Sequence, residues 1–411
     1  MRLVLLVVAV LVLTGCGSMA RGVTEAMMAE ARRPVVGRCE VEGRSFVGVG
    51  GYQRPGVPLK VLMVHGVGDY RQGYSDALAA GIARELGFGT RSRTSKQLQL
   101  MGPLTAAGTT LPGPVQQPLG ELKVNHYQRR DGATLEVHEL LWNRLTSHEK
   151  SLLTFDSSAD LGRQRASLNR DFKQLLNAHI ADPLIYLGPT GGAIRQSVAQ
   201  ALCLLRQQRW SQLAEEGSWQ CPVDAKPNAA AEDPLVIVSH SLGSRIVIDA
   251  LAEISGRAAA DDSRLWRDQV VPVYMLSNQL QLLQLGRKAP AVVERRGQFC
   301  GPDATTPAER QLARLEIVAI SDPNDLLSYS VPQPFIDRFI DSRLCPQLTN
   351  VSFTLTTPVE LFGIGQLAMP MEAHKGYLDN PELITLLAHG LVASAGLNGM
   401  RPCRQLVLEE G

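Results

Sequence analysis

The sequence predicts an α/β fold in which a mostly parallel central sheet carries helices on both faces, with a helical insertion or cap ahead of Ser241. Three observations carry this. Short apolar runs such as "LKVLMV", "LVIVSH" and "RLEIVAIS" have strand length and end abruptly at Gly, Ser, His or Asp. Between them, apolar residues recur at helical spacing, so strand and helix alternate, as in a parallel sheet covered on both sides. With 411 residues, 45% hydrophobic and 20% charged, the chain is long and apolar enough to bury such a sheet.

The first element, "MRLVLLVVAVLVLTGC", has one arginine, an apolar run short for a membrane span, and small residues ending at Cys16. It reads as an export signal over residues 1–15. Its "LTGC" resembles the lipobox of bacterial lipoproteins. That resemblance implies cleavage before Cys16, acylation of its sulfur and amine, and a mature chain held to a membrane by lipid. Gly17 and Ser18 are not the aspartate associated with inner-membrane retention, so for a Gram-negative cell the implied place in the envelope is the outer membrane, facing the periplasm. Residues 16–56 read as a polar leader and tether.

A strand in "PLKVLMVHGVGD" breaks at His65-Gly66, and the helical pattern of "YSDALAAGIARELGF" stops near Gly87. The Gly/Pro/Thr-rich "LTAAGTTLPGPVQQPLG" reads as a surface excursion within an insertion near residues 90–120, and "TLEVHELLW" as the next strand. From about 150 to 220 the pattern is helical. Leu168, Phe172, Leu175, Leu176 and Ile180 share one face, and Ile194, Val198, Ala201, Leu202 and Leu205 another. These fit either a cap or the ordinary crossover helices of the sheet. "GPTGG" lacks the Gly-Lys-Ser/Thr ending of a phosphate-binding loop. "VVPVYMLSN", "RLEIVAIS" and "NVSFTLTT" supply the later strands.

Besides Cys16 the chain holds Cys39, Cys203, Cys221, Cys300, Cys345 and Cys403. An even number in an exported chain favours disulfides, and the absence of C-x-x-C spacing argues against zinc or redox chemistry. Cys203 and Cys221 flank one short loop and are the first pair to expect. The balance of 41 Lys+Arg against 40 Asp+Glu gives no footprint for nucleic acid. No metal-binding motif such as H-E-x-x-H appears, and no cofactor is implied.

The chemistry is expected at the carboxyl ends of the strands. Ser241 ends an apolar run where a strand turning sharply into a helix would expose its hydroxyl. A serine hydroxyl needs an imidazole to take its proton, and the imidazole needs a carboxylate to orient it. Asp322 and Asp325, after "LEIVAIS", are the candidate acids, and His374, after the last strand, is the candidate base. Asp322 directly follows the strand and suits a turn cap. Glu360, between the last strand and His374, is the next carboxylate to consider.

This Ser, Asp, His order around a strand-turn-helix resembles the α/β-hydrolase superfamily of lipases and esterases, over roughly residues 57–411. "SHSLG" corresponds to the G-x-S-x-G elbow, with Ser239 in place of the first glycine. The resemblance implies a carboxylic ester hydrolase acting through an acyl-enzyme on a lipid or small acyl ester, with Ser241 as nucleophile, His374 as base and Asp325 as acid. "HGVGD" would be the oxyanion loop, Val67 and Leu242 supplying backbone N–H donors and Gly66 being the alternative to Val67. His65 would brace that loop, and His240 would be an elbow spacer. His389 reads as packing, while His126, His138, His148 and His179 have no companion motif. A different reading is an envelope scaffold or binding lipoprotein that keeps the fold without turnover. Acyl and alcohol parts and oligomeric state are left open by the residues.

Overall fold

The computed structural model describes residues 39–89, 94–103, 116–154, 165–166, 169–170, 173–174, 176–222, 227–257, 264–356, 358–361, 365–368, 370–394 and 403–406. The export signal, Cys16, Leu168, Phe172 and Leu175 lie outside these residues.

The strands are β1 (Cys39–Gly43), β2 (Leu59–Val64), β3 (Thr94–Pro103), β4 (Gln116–Gln128), β5 (Thr134–Leu141), β6 (Glu216–Trp219), β7 (Leu235–His240), β8 (Val270–Leu276), β9 (Arg314–Ser321), β10 (Pro346–Phe353), β11 (Val359–Leu361), β12 (Gly365–Leu367) and β13 (Arg404–Leu406). Eleven of them form one mixed, mostly parallel sheet in the order β13-β1-β10-β9-β8-β7-β2-β5-β4-β3-β6. The six strands from β10 to β5 are mutually parallel. Antiparallel pairings join β1 to β10, β4 to β5 and β3 to β4. β11 and β12 pair separately.

Because side chains alternate across a strand, each central strand feeds two cores. On one face Leu62, Val64, Ile237, Val273, Met275 and Ile317 pack beneath α2 (Gly191–Gln207) and α3 (Gly243–Arg257), through Ile194, Val198, Leu202, Ile246 and Val247. On the other, Leu59, Val61, Met63, Val236 and Val238 meet α1 (Asp76–Glu85) and α6 (Pro381–Ser394), through Leu78, Ile82, Leu383 and Leu387. Further helical segments are α4 (Gln333–Phe339), α5 (Pro370–Lys375) and the consecutive turns Leu176–Ile180 and Ala181–Leu187. Burying aliphatic side chains on both faces, at about 1.5–3 kcal/mol each, explains why the central strands read as unbroken apolar runs.

Local signals agree with this packing. α1 buries Leu78, Ala79, Ile82 and Ala83 on one face, and Asp76 in its first turn pairs with Lys123 at 2.9 Å. It stops because Gly87 takes φ +77°, which lets the Gly87 N–H reach the Arg84 carbonyl at 3.0 Å and the Phe88 N–H reach that of Ala83 at 2.8 Å.

Three expectations need correction. The leader does not extend to residue 56: β1 is part of the sheet, Val41, Phe46 and Val49 are buried, and a disulfide joins Cys39 to Cys403 beside β13. "CEVEG" sends one apolar side chain inward, too little for a periodic signal. The insertion near 90–120 is in part sheet, because β3 and β4 pair in a long antiparallel ladder that extends it, while residues 104–115 of the expected surface excursion lie outside the described residues. Lys96, Leu98, Leu100 and Gly102 alternate inward along β3, a half-buried pattern muted by the glutamines between them. Finally, α2 is a covering helix packed on α3 and across β3 and β4, so the insertion proper ends before Gly191. Cys203 pairs with Cys221, as the short loop predicts, and Cys300 with Cys345.

Candidate active site

β7 delivers Ser241 into a tight turn before α3. Ser241 sits at φ +55°, a backbone conformation that serine rarely adopts and that is held here by its N–H donating to the Leu276 carbonyl of β8 at 2.9 Å. Space around the turn explains its small residues. A Cβ on Gly243 would lie 2.5 Å from the Val64 carbonyl oxygen, and one on Gly66 would lie 2.4 Å from the Ser241 Cβ. The "HG" loop after β2 therefore lies directly against the serine. Ser239, where the motif usually has glycine, is fully buried and fits with its hydroxyl directed to the Tyr274 carbonyl at 3.4 Å.

Three side chains from three elements converge. His374, on α5, has Nε2 3.1 Å from the Ser241 Oγ and Nδ1 3.0 and 3.1 Å from the two carboxylate oxygens of Asp325. All three residues are buried. The Asp325 carboxylate also accepts from the Ser277 hydroxyl at 2.7 Å, the Leu327 N–H at 3.0 Å and the Tyr377 hydroxyl at 3.3 Å. Burial pushes the Asp325 carboxyl up, but the hydrogen bond and charge of His374, with those donors, outweigh it and leave the group below its ordinary value.

Asp322 is engaged elsewhere. Its carboxylate accepts from the N–H groups of Asn324 at 2.8 Å, Leu355 at 2.7 Å and Thr356 at 3.2 Å, so it ties the end of β9 to the chain after β10. Glu360 lies on β11, in the separate small sheet. Val67 and Leu242 follow Gly66 and Ser241, on the two loops that abut at the serine, and both are buried.

The neighbouring histidines brace this arrangement. His65 donates from Nδ1 to the Gly66 carbonyl at 2.9 Å, accepts the Trp142 N–H on Nε2 at 3.3 Å, and stacks on the Trp142 ring. His240 does more than space the elbow: its Nε2–H donates to the backbone carbonyl of His374 at 2.8 Å, and Nδ1 faces the Tyr70 hydroxyl at 3.2 Å. Burial pushes both imidazoles down to about 3, so both are neutral near pH 7. Below the ordinary value of 6.5 the unfolded chain binds protons that these folded imidazoles refuse, so their stabilisation is complete above about pH 6.5 and is lost as pH falls toward about 3. The expected result is a melting temperature that declines steadily from pH 7 to pH 4, with a shallower decline in His240→Gln. A flat profile would contradict it.

Sequence reasoning missed Ser277, His179 and Asp182. Ser277, at φ +54° directly after β8, lies 2.9 Å from His374 Nδ1 as well as bonding Asp325. The rule that functional groups collect at strand carboxyl ends would have found it. Among the described residues, no group of three or more His, Cys, Asp or Glu side chains is placed to hold a metal ion. Comparison of the chain with protein-family models, curated proteins and solved structures gives no match.

Proposed function

We propose that this chain is a serine hydrolase of the α/β-hydrolase type that cleaves carboxylic esters of lipids or small acyl compounds. The observation that carries the reading is the continuous hydrogen-bond chain from Ser241 through His374 to Asp325 at the carboxyl ends of parallel strands. In this reading His374 Nε2 takes the proton as Ser241 Oγ attacks the ester carbonyl, and Asp325 favours the imidazolium that results. The N–H groups of Val67 and Leu242 hold the oxyanion. Collapse expels the alcohol, which receives the proton from His374, and leaves Ser241 acylated. Water, deprotonated by His374, then attacks the acyl-enzyme, releases the acid and restores the serine. A fluorophosphonate probe should label the wild-type protein, and a panel of p-nitrophenyl esters and phospholipids should reveal turnover. An intact protein that neither labels nor turns over would be the idle scaffold instead.

The same reading places the enzyme on a membrane through lipid on Cys16, most simply at the outer membrane facing the periplasm, with "LTGC" as its support. Cys16→Ser removes the attachment thiol. Expressed in a Gram-negative bacterium, it should leave the membrane fraction and lose acyl label while keeping the activity of the wild type. Wild type without acyl label would overturn the anchor and leave the hydrolase reading standing.

A further inference from the structure

The loop Gly66–Val67–Gly68 is gripped from outside the sheet. The peptide unit between Val67 and Gly68 is held by side chains three residues apart on the helical segment preceding α2. The Gly68 N–H donates to Asp182 Oδ2 at 2.7 Å, and the His179 imidazole packs against Gly68. The His179 ring lies so close that a Cβ on Gly68 would sit 3.0 Å from its Cε1. Gly68 adopts φ +113°, which suits glycine. Asp182 is fully buried, and its second oxygen pairs at 2.9 Å with Lys150, which also reaches Asp69 at 3.0 Å. At the other end of the loop, Gly66 rests on Ser241.

We infer that His179 and Asp182 are positioning residues for the oxyanion loop, so that the helical insertion, and not the sheet alone, sets the direction of the Val67 N–H. A backbone donor stabilises a developing oxyanion only if it is aimed before the charge forms. β2 fixes where the loop starts. Gly66 and Gly68 leave the loop free to turn, and the Asp182 carboxylate and His179 ring remove that freedom where they hold the next peptide unit. His179 and Asp182 touch neither Ser241 nor His374 among the described contacts, and they act through the loop.

The catalytic half of this inference rests on the hydrolase reading, and its structural half does not. In the full chain, Asp182→Ala and His179→Ala should each lower kcat by about 10- to 100-fold with KM within about threefold, because the lost interaction belongs to the transition state. Asp182→Asn should recover most of the loss, since its carbonyl can still accept the Gly68 N–H. Hydrogen exchange at the Gly68 amide should quicken at least about tenfold in Asp182→Ala. If Asp182→Ala fails to fold, His179→Ala, at a partly exposed position, carries the kinetic test. Unchanged kcat in the alanine variants of an active enzyme, or a loss confined to KM, would overturn the inference and leave the hydrolase reading intact. If the wild type shows no turnover at all, the hydrolase reading fails, and exchange at Gly68 decides whether Asp182 holds the loop.

Discussion

On the proposed hydrolase reading, Ser241→Ala should lower ester turnover by about 10⁶ and abolish fluorophosphonate labelling, with a melting temperature at or above that of the wild type. The variant removes only the Ser241 oxygen, which hydrogen-bonds His374 Nε2 and which the proposed mechanism acylates. The turn is held by backbone, through the Ser241 N–H on Leu276 and the close seats of Gly66 and Gly243, and alanine leaves those in place. Labelling that persists in the variant would move the nucleophile to another residue. Ser277 is the first to examine, since it too lies within hydrogen-bonding distance of His374.

The second large effect separates two aspartates three positions apart. Asp325→Asn should lower kcat by about 10⁴, because an amide offers His374 Nδ1 a donor where it needs an acceptor and so favours the wrong imidazole tautomer. Asp322→Asn should keep turnover within a few-fold of the wild type, yet lose about 1–3 kcal/mol of stability. Both of its oxygens accept backbone N–H groups, from Asn324 on one side and Leu355 and Thr356 on the other, and an amide nitrogen cannot accept either. Kinetics and thermal denaturation on the two variants check this. If Asp322→Asn were the inactive one, the triad acid would be reassigned.

These two aspartates show where reading the sequence stopped. Both follow the same apolar run; turn chemistry suits Asp322, and only the resemblance favours Asp325 as the acid. Only the packing of α5 against the β9 loop brings Asp325, and not Asp322, to His374. The same limit hid Asp182 and His179. Each is an unremarkable polar residue within a helical stretch, and its partner, Gly68, lies more than a hundred positions away.

What the sequence determined by itself was local in origin. The parallel strands were legible because burial on both faces demands unbroken apolar runs, as in Leu59–Val64 and Leu235–His240. Ser241 was legible because such a run ends at "SLG", where only small residues fit between Val64, Gly66 and the start of α3. The tertiary structure decided what depends on partners distant in the chain: that β1 and β13, joined by Cys39 and Cys403, extend one side of the sheet, that β3 and β4 widen the other, and which polar groups meet at the site. A hydrophobic period records how much of a residue is buried, whereas a hydrogen bond needs a particular atom from another element within about 3 Å, and that distance exists only once the sheet has assembled.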